Sequence, residues 1–378
     1  MLYREAGDFK TSYVEDSQTF PIKIDRWGYY LVLAVAFLVV PFFINDYWAN
    51  AVFVPFLIYA IATLGLNILT GYAGQVSLGT GGFMAVGAYA CYKFMTGVDI
   101  WIGDVQYALP PFNIFFSVLM GGVVTAAVGV LFGLPSLRIK GFYLAVATLA
   151  AQFFLVWLFN KAGWFYNYSA SGQITAPERF LLPGTSEGSF LHIAISGPNT
   201  EAWAKYLFCL VFVVLLAWLA RNLTRGNFGR KWMAIRDMDI AAEIIGVNPL
   251  KAKLSAFAVS SFFIGIAGAL FFSVYLGAIE VTEAFGIQKS FVVLFMVIIG
   301  GLGSIFGSFA GAAFLVLMPV ILKNLLVGGL GWQTDIAQHL EFVIVGGLIV
   351  AFLILEPHGL AQLWRLMKEK LRLWPFPH

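Results

Sequence analysis

The run YLFCLVFVVLLAWLA, residues 206–220, passes directly into RNLTRGNFGRKWMAIRDMDIAAEIIGVNPLKAK, residues 221–253. That junction decides the fold. Extended back to Trp203, the first part approaches the roughly 20 apolar residues that a bilayer crossing needs. The second part carries seven basic residues (Arg221, Arg225, Arg230, Lys231, Arg236, Lys251, Lys253) and three acids (Asp237, Asp239, Glu243). A membrane helix therefore opens onto a polar island, where the chain meets water and whatever waits there.

The rest of the chain resembles the first part. Of 378 residues 60% are hydrophobic and 11% charged, with mean hydropathy +0.84. Soluble domains are about 25% charged. The fold class is therefore an all-α polytopic membrane protein. A net charge of +3 gives no reason to expect a nucleic-acid partner. Cys91 and Cys209 lie in apolar segments without metal-ligand spacing or a disulfide framework. The histidines are scattered and build no catalytic cluster, so neither a metal nor a cofactor is expected. The N-terminus, polar up to Arg26, lacks the pattern of a cleavable signal peptide.

Ten spans can be read: 28–45, 50–70, 75–96, 113–134, 141–160, 203–221, 252–277, 287–300, 303–322 and 339–356. The third is Gly-rich and the eighth short, so either can be a broken or re-entrant helix. With ten spans, placing the N-terminus in the cytoplasm puts 17 of the 23 Lys/Arg inside, as basic residues require. Residues 1–27 then form a cytoplasmic N-terminal segment and 28–356 the transmembrane body. Within that body 161–202 is an external loop and 221–251 a cytoplasmic loop, and 357–378 is a cytoplasmic basic tail. The external loop mixes aromatics with Gly, Pro and Ser, and reads equally as a docking cap or a packed loop. The tail is amphipathic over 358–374 and suits the membrane surface.

Four stretches carry candidate function. NILTGYAGQVSLGTGGFMAVGAYA, Asn67–Ala90, combines glycines with Asn67, Thr70, Gln75, Ser77 and Thr80. Glycine interruptions permit close helix approach, or unwound backbone beside a transport path. Asn67, Gly71, Gln75 and Ser77 are path candidates. Thr148 and Gln152, one turn apart in the fifth span, either bond another helix or line the same path. GGLGSIFGSFAG, Gly300–Gly311, spaces Gly303, Gly307 and Gly311 by four, which predicts one glycine per turn on a packing face. In the polar island Phe228, Trp232 and Ile235 predict an amphipathic helix ended near Gly246, Asn248 and Pro249. Its apolar edge is expected to face either a groove on a partner or the lipid surface. No acid lies in the core of the confident spans, which disfavours an ion-driven carrier. No Gly-x-x-x-x-Gly-Lys-Ser/Thr loop occurs, so the chain has no nucleotide-binding motif of its own.

GYAGQVSLGTGGFMAVGAYA, LRIKGFYLAVATLA, FGRKWMAIRDMDIAAEIIGVNPLKAKLSAFAVSSFFIGIAGAL and GGLGSIFGSFAGAA follow one another in this order. Together they resemble the LivM-type permeases, membrane subunits of branched-chain amino acid ABC importers, over residues 50–356. The resemblance implies a type II importer fold of about ten helices in a bacterial inner membrane. It implies four further components: a related second permease of LivH type, two cytoplasmic ATPases and a periplasmic binding protein. ATP-driven import by alternating access follows, with no enzymatic activity in this chain. Permeases for urea, short amides or small carboxylates share the same blocks, and a passive channel is the alternative from another class. ABC coupling helices carry Glu-Ala-Ala-x-x-x-Gly. Ala241, Ala242 and Gly246 match that pattern, whereas Ile240 stands where the glutamate would be. The resemblance thus assigns ATPase coupling to Arg230, Trp232, Arg236, Asp237, Ala241, Ala242, Glu243 and Gly246.

Overall fold

The computed structural model describes residues 11–12, 23–102, 105–136, 143–181, 193–197, 200–356 and 358–373. Twelve helical segments organise them. They are α1 Asp25–Phe43, α2 Asp46–Tyr72, α3 Thr80–Thr96, α4 Ile114–Ser136, α5 Tyr143–Lys161 and α6 Ala202–Arg225. They continue with α7 Asn227–Ile244, α8 Pro249–Leu276, α9 Val281–Gly300, α10 Ile305–Gly329, α11 Thr334–Leu355 and α12 Leu360–Leu373.

Eight of these helices are long and apolar enough to cross a membrane, against the ten spans expected. The difference lies in α3 and α11. The third candidate starts at Thr80 rather than residue 75, because Ala73–Gly79 is not helical. In α11 the apolar stretch is only Phe342–Phe352. The short eighth candidate instead lengthens to Val281–Gly300 and is broken at Phe285–Gly286.

The core is built around α8, packed on α2, α3 and α4. Both α2 and α8 are apolar on all sides, which suits a helix covered by protein all round, and 83% of each apolar window is buried. Helices in lipid gain little from burying one apolar face against another, so contact depends on close backbone approach. Glycine supplies it here: a Cβ on Gly87 would collide with the backbone of Gly265, and one on Gly268 with that of Met84. By contrast, none of the apolar window of α1 is buried. The Tyr206 hydroxyl donates to Ala36 O at 3.1 Å and ties α1 to α6.

One end of the bundle gathers elements distant in sequence. There α7 follows α6, and the α9–α10 turn meets Gly359 at the start of α12. Trp364 of α12 stacks on Phe306 of α10 at 5.4 Å, and Lys368 pairs with Asp25 of α1 at 3.1 Å. The tail helix thus rests on the bundle rather than on lipid alone. The linker residues Arg138 and Lys140, expected as topological anchors, lie outside the described residues.

At the other end, residues of the 161–202 loop pack onto α3. Arg179 donates to Met95 O at 2.6 Å, capping the last turn of α3. Asn167 bonds Lys93 and Tyr92, and Trp164 donates to Asp99 O at 3.1 Å. Two-residue strands Ile174–Thr175 and Ala278–Ile279 pair antiparallel, joining this loop to the α8–α9 connection. Val98–Ile102 and Val105–Leu109 form a hairpin after α3.

Candidate coupling site at one end of the bundle

The polar island folds as one helix with a break. Gly226 precedes α7, and a Cβ on Gly229 would collide with Thr224, so α7 turns sharply away from α6. At Met238 the backbone leaves helical geometry (φ −160°, ψ 97°), dividing α7 in two. The end is a glycine cap: Gly246, at φ +89°, donates to Glu243 O at 3.0 Å, and Val247 donates to Ala242 O at 2.9 Å. Asn248 then accepts Lys251 N at 3.0 Å and Pro249 opens α8.

The two halves face different surroundings. Before the break, Trp232 is 1% exposed and Ile235 is buried. The Trp232 indole donates to Ser255 Oγ of α8 at 2.9 Å. This corrects the expectation that the Phe228–Trp232–Ile235 edge faces a partner or the lipid surface: Trp232 and Ile235 pack inside the chain, and only Phe228 stays exposed. After the break, Met238, Ile240, Ile244 and Ile245 are exposed by 65%, 67%, 82% and 75%. Asp237, Ala241 and Glu243 are exposed around them, while Ala242 is buried. Sequence spacing missed this patch because a continuous helical register was assumed across Met238.

Arg236 stands at the division. Its guanidinium donates to Gly71 O at 2.8 Å and pairs with Asp237 at 2.9 Å. A Cβ on Gly74, at φ +69°, would meet the Arg236 side chain. The turn after α2 is therefore shaped around this arginine. Arg230 bonds only its neighbour Asn227 among the described partners.

From Gly71 a polar joint crosses to the α9–α10 turn. Asn67 accepts from Gly303 N at 2.8 Å and donates to Ser304 O and Ser308 Oγ, each at 2.8 Å. Gly303 is not on a helix face, contrary to the expectation from its spacing. At φ +75° it forms the turn before Ser304, whose hydroxyl caps α10 by accepting Gly307 N at 3.1 Å. Gly307 and Gly311 do lie on α10, against the backbones of Gly300 and Met296.

A second joint lies deeper. Thr148 accepts Leu78 N at 3.0 Å. Gln152 accepts Gly82 N and donates to Phe285 O at 2.8 Å, the carbonyl freed at the break in α9. Ser290 bridges Gly81 N, at 2.8 Å, to Gln152 Oε1, at 3.1 Å. Two α5 side chains thus satisfy backbone groups before α3, in its first turn and at the break in α9, where unpaired groups are costly. Gln75 and Ser77 are buried in the non-helical stretch, and neither amide atom of Gln75 has a partner.

The described residues thus form an apolar helical bundle with a polar helix tied into its glycine-rich turns. The sequence supplies the family. Residues 49–353 match the family described as branched-chain amino acid transport system, permease component. This chain belongs to that permease family.

Among its relatives is the high-affinity branched-chain amino acid transport permease LivM of Salmonella typhimurium. It is 32% identical over 82% of this chain and 69% of the relative. LivM of Escherichia coli is 31% identical, over 89% and 74% of the two chains. A probable LivM of Methanocaldococcus jannaschii is 24% identical, over 80% and 90%. No solved structure matches. The chain is thus a multi-pass membrane permease component, and its described residues contain no group of His, Cys, Asp or Glu able to hold a metal.

Proposed function

We propose that this chain carries branched-chain or related hydrophobic amino acids across a bacterial inner membrane, driven by ATPases bound to the second half of α7. The single observation that carries the reading is Arg236, which reaches from α7 to the Gly71 carbonyl in a permease-family chain. An apolar patch on a water-facing helix suits a groove on a partner. The end bearing α7, α12 and the start of α1 then faces the cytoplasm. The 161–202 loop faces outward, toward a binding protein that delivers the solute. A related second permease completes the pathway, and α3 and α11 cross with the other eight helices.

Motion follows the bonds. Closure of the ATPases displaces the exposed half of α7, and Arg236 passes the displacement to the Gly71–Gly74 turn. Asn67 hands it on to the α9–α10 turn, so α2 and α10 tilt together. Asn67, Thr148 and Gln152 hold backbone in place during this change. Gln75, with its amide unspent beside Ser77, offers hydrogen bonds to a passing solute.

The test is Arg236→Met in the assembled transporter, with ATP hydrolysis and leucine uptake measured together. The charge-assisted bond is worth about 1.5–3 kcal/mol. We expect ATP hydrolysis to persist while uptake per ATP falls about tenfold or more. Uptake by the wild-type complex without ATP, or unchanged coupling in the variant, overturns the reading.

A further inference from the structure

The tail helix α12 has three different sides. Leu360, Trp364 and Lys368, each one turn apart, form the side against the bundle. Leu360 packs on the cluster of Ile299, Ala312 and Leu315, Trp364 stacks on Phe306, and the Lys368 ammonium donates to the Asp25 carboxylate. Gln362, Arg365 and Glu369 form a polar side, where Arg365 and Glu369 pair at 3.2 Å. Leu363, Leu366, Met367 and Lys370, spaced by three and four, form the third side, and all four are exposed. The first three make an apolar stripe that this chain leaves uncovered. Lys370 has no carboxylate partner among the described residues.

Where α12 is anchored decides what lies over the stripe. Gly359 approaches the α9–α10 turn so closely that a Cβ on it would meet Gly301 N at 2.6 Å. Phe306 is in the first turn of α10, and Asp25 opens α1. Each anchor is at the end of a membrane helix, so α12 lies across those ends. That is the level of the lipid headgroups. Trp27, exposed near Asp25, and Trp364 mark it, because tryptophan favours the membrane–water interface. An apolar stripe with an unpaired lysine at that level suits a leaflet of anionic lipid. The turn beneath α12 is also the one that Asn67 grips through Gly303 N and Ser304 O.

We propose that α12 docks on anionic phospholipid and braces the α9–α10 turn against the leaflet. Leu363, Leu366 and Met367 enter the leaflet, Lys370 takes the anionic headgroups, and Trp364 and Lys368 pass the restraint to α10 and α1. A turn held against the leaflet gives α2 and α10 a fixed point to tilt about, so coupling depends on anionic lipid. The brace rests on the proposed ATP-driven uptake; the lipid contact does not.

The experiment places an environment-sensitive fluorescent amino acid at Met367 or at Glu369. The complex is purified through a tag on this chain and set in nanodiscs containing brominated lipid, which quenches a probe lying in the bilayer. The probe at Met367 is expected to be quenched far more strongly than the one at Glu369. At equal mole fraction, brominated phosphatidylglycerol should quench it about fivefold more than brominated phosphatidylcholine, the scale of one basic residue at a charged surface. Lys370→Gln changes an exposed, unpaired residue and should remove that preference. Equal quenching of the two probes, as a protein partner over the stripe would give, overturns the docking. So does a lipid preference that survives Lys370→Gln. In proteoliposomes, leucine uptake per ATP by the wild type should rise about fivefold with phosphatidylglycerol, and by Lys370→Gln it should not. An equal rise in both overturns the brace. If quenching follows the stated pattern while the complex imports nothing, the transport reading falls and the lipid surface stands. If the complex imports leucine while both probes are quenched alike, the lipid surface falls and the transport reading stands.

Discussion

The two halves of α7 share one stretch of sequence and have opposite surroundings. Before Met238 the helix buries Trp232 and Ile235 against its own subunit; after Met238 it leaves Ile240, Ile244 and Ile245 in the open. Both halves are of mixed polarity, so composition does not separate them. The break separates them, because a non-helical residue rotates the register of everything after it. One half can therefore serve as an anchor and the other as a handle. Arg236, just before the break, ties the handle to the Gly71 turn. A coupling element needs both: without an anchor a push is absorbed, and without a handle no push arrives.

Substitutions can break this contrast at graded strength. Trp232→Ala empties the anchor and leaves a cavity beneath α7. It should destabilise the subunit by about 3–5 kcal/mol, read as a lower melting midpoint in detergent. Gly246→Pro attacks the joint between handle and α8. Proline cannot adopt φ +89°, so a cost of about 3 kcal/mol is expected at that joint. The chain should still insert while stimulated ATP hydrolysis is lost. Normal stimulation would show that the handle does not act through this cap.

Ile244→Asp places a charge in the exposed patch. It should leave the melting midpoint unchanged and weaken ATPase association by about 2 kcal/mol, the scale of an interface hot spot. Unchanged affinity in a binding titration would remove the patch from the interface. Asp237→Asn is the smallest change. Its pair with Arg236 is largely solvated, at 39% and 66% side-chain exposure, and such pairs contribute about 0–1 kcal/mol. Stability should stay within about 1 kcal/mol, and the Arg236–Gly71 bond should persist. A larger loss would mean that Asp237 positions the arginine.

Much of this molecule could be read without coordinates. Apolar runs of about 20 residues read as membrane helices, since a helix satisfies its own backbone within the segment. The end of α7 near Gly246, Asn248 and Pro249 was visible because capping is local chemistry, whereas the span expected from 252 begins at Pro249 with Asn248 as its cap. The family was visible in four ordered motifs. The tertiary structure decided what depends on partners far along the chain. Gly303, equally spaced with Gly307 and Gly311, left the helix because Asn67 holds its N–H in a turn. Trp232 turned inward because Ser255 and α8 lie beneath it. Thr148 and Gln152, legible only as a polar pair, found their role in backbone opened on two other helices. Periodicity and capping act within a few residues and are written in the sequence. The fate of a polar group in a membrane depends on which distant backbone lacks a partner, and packing decides that.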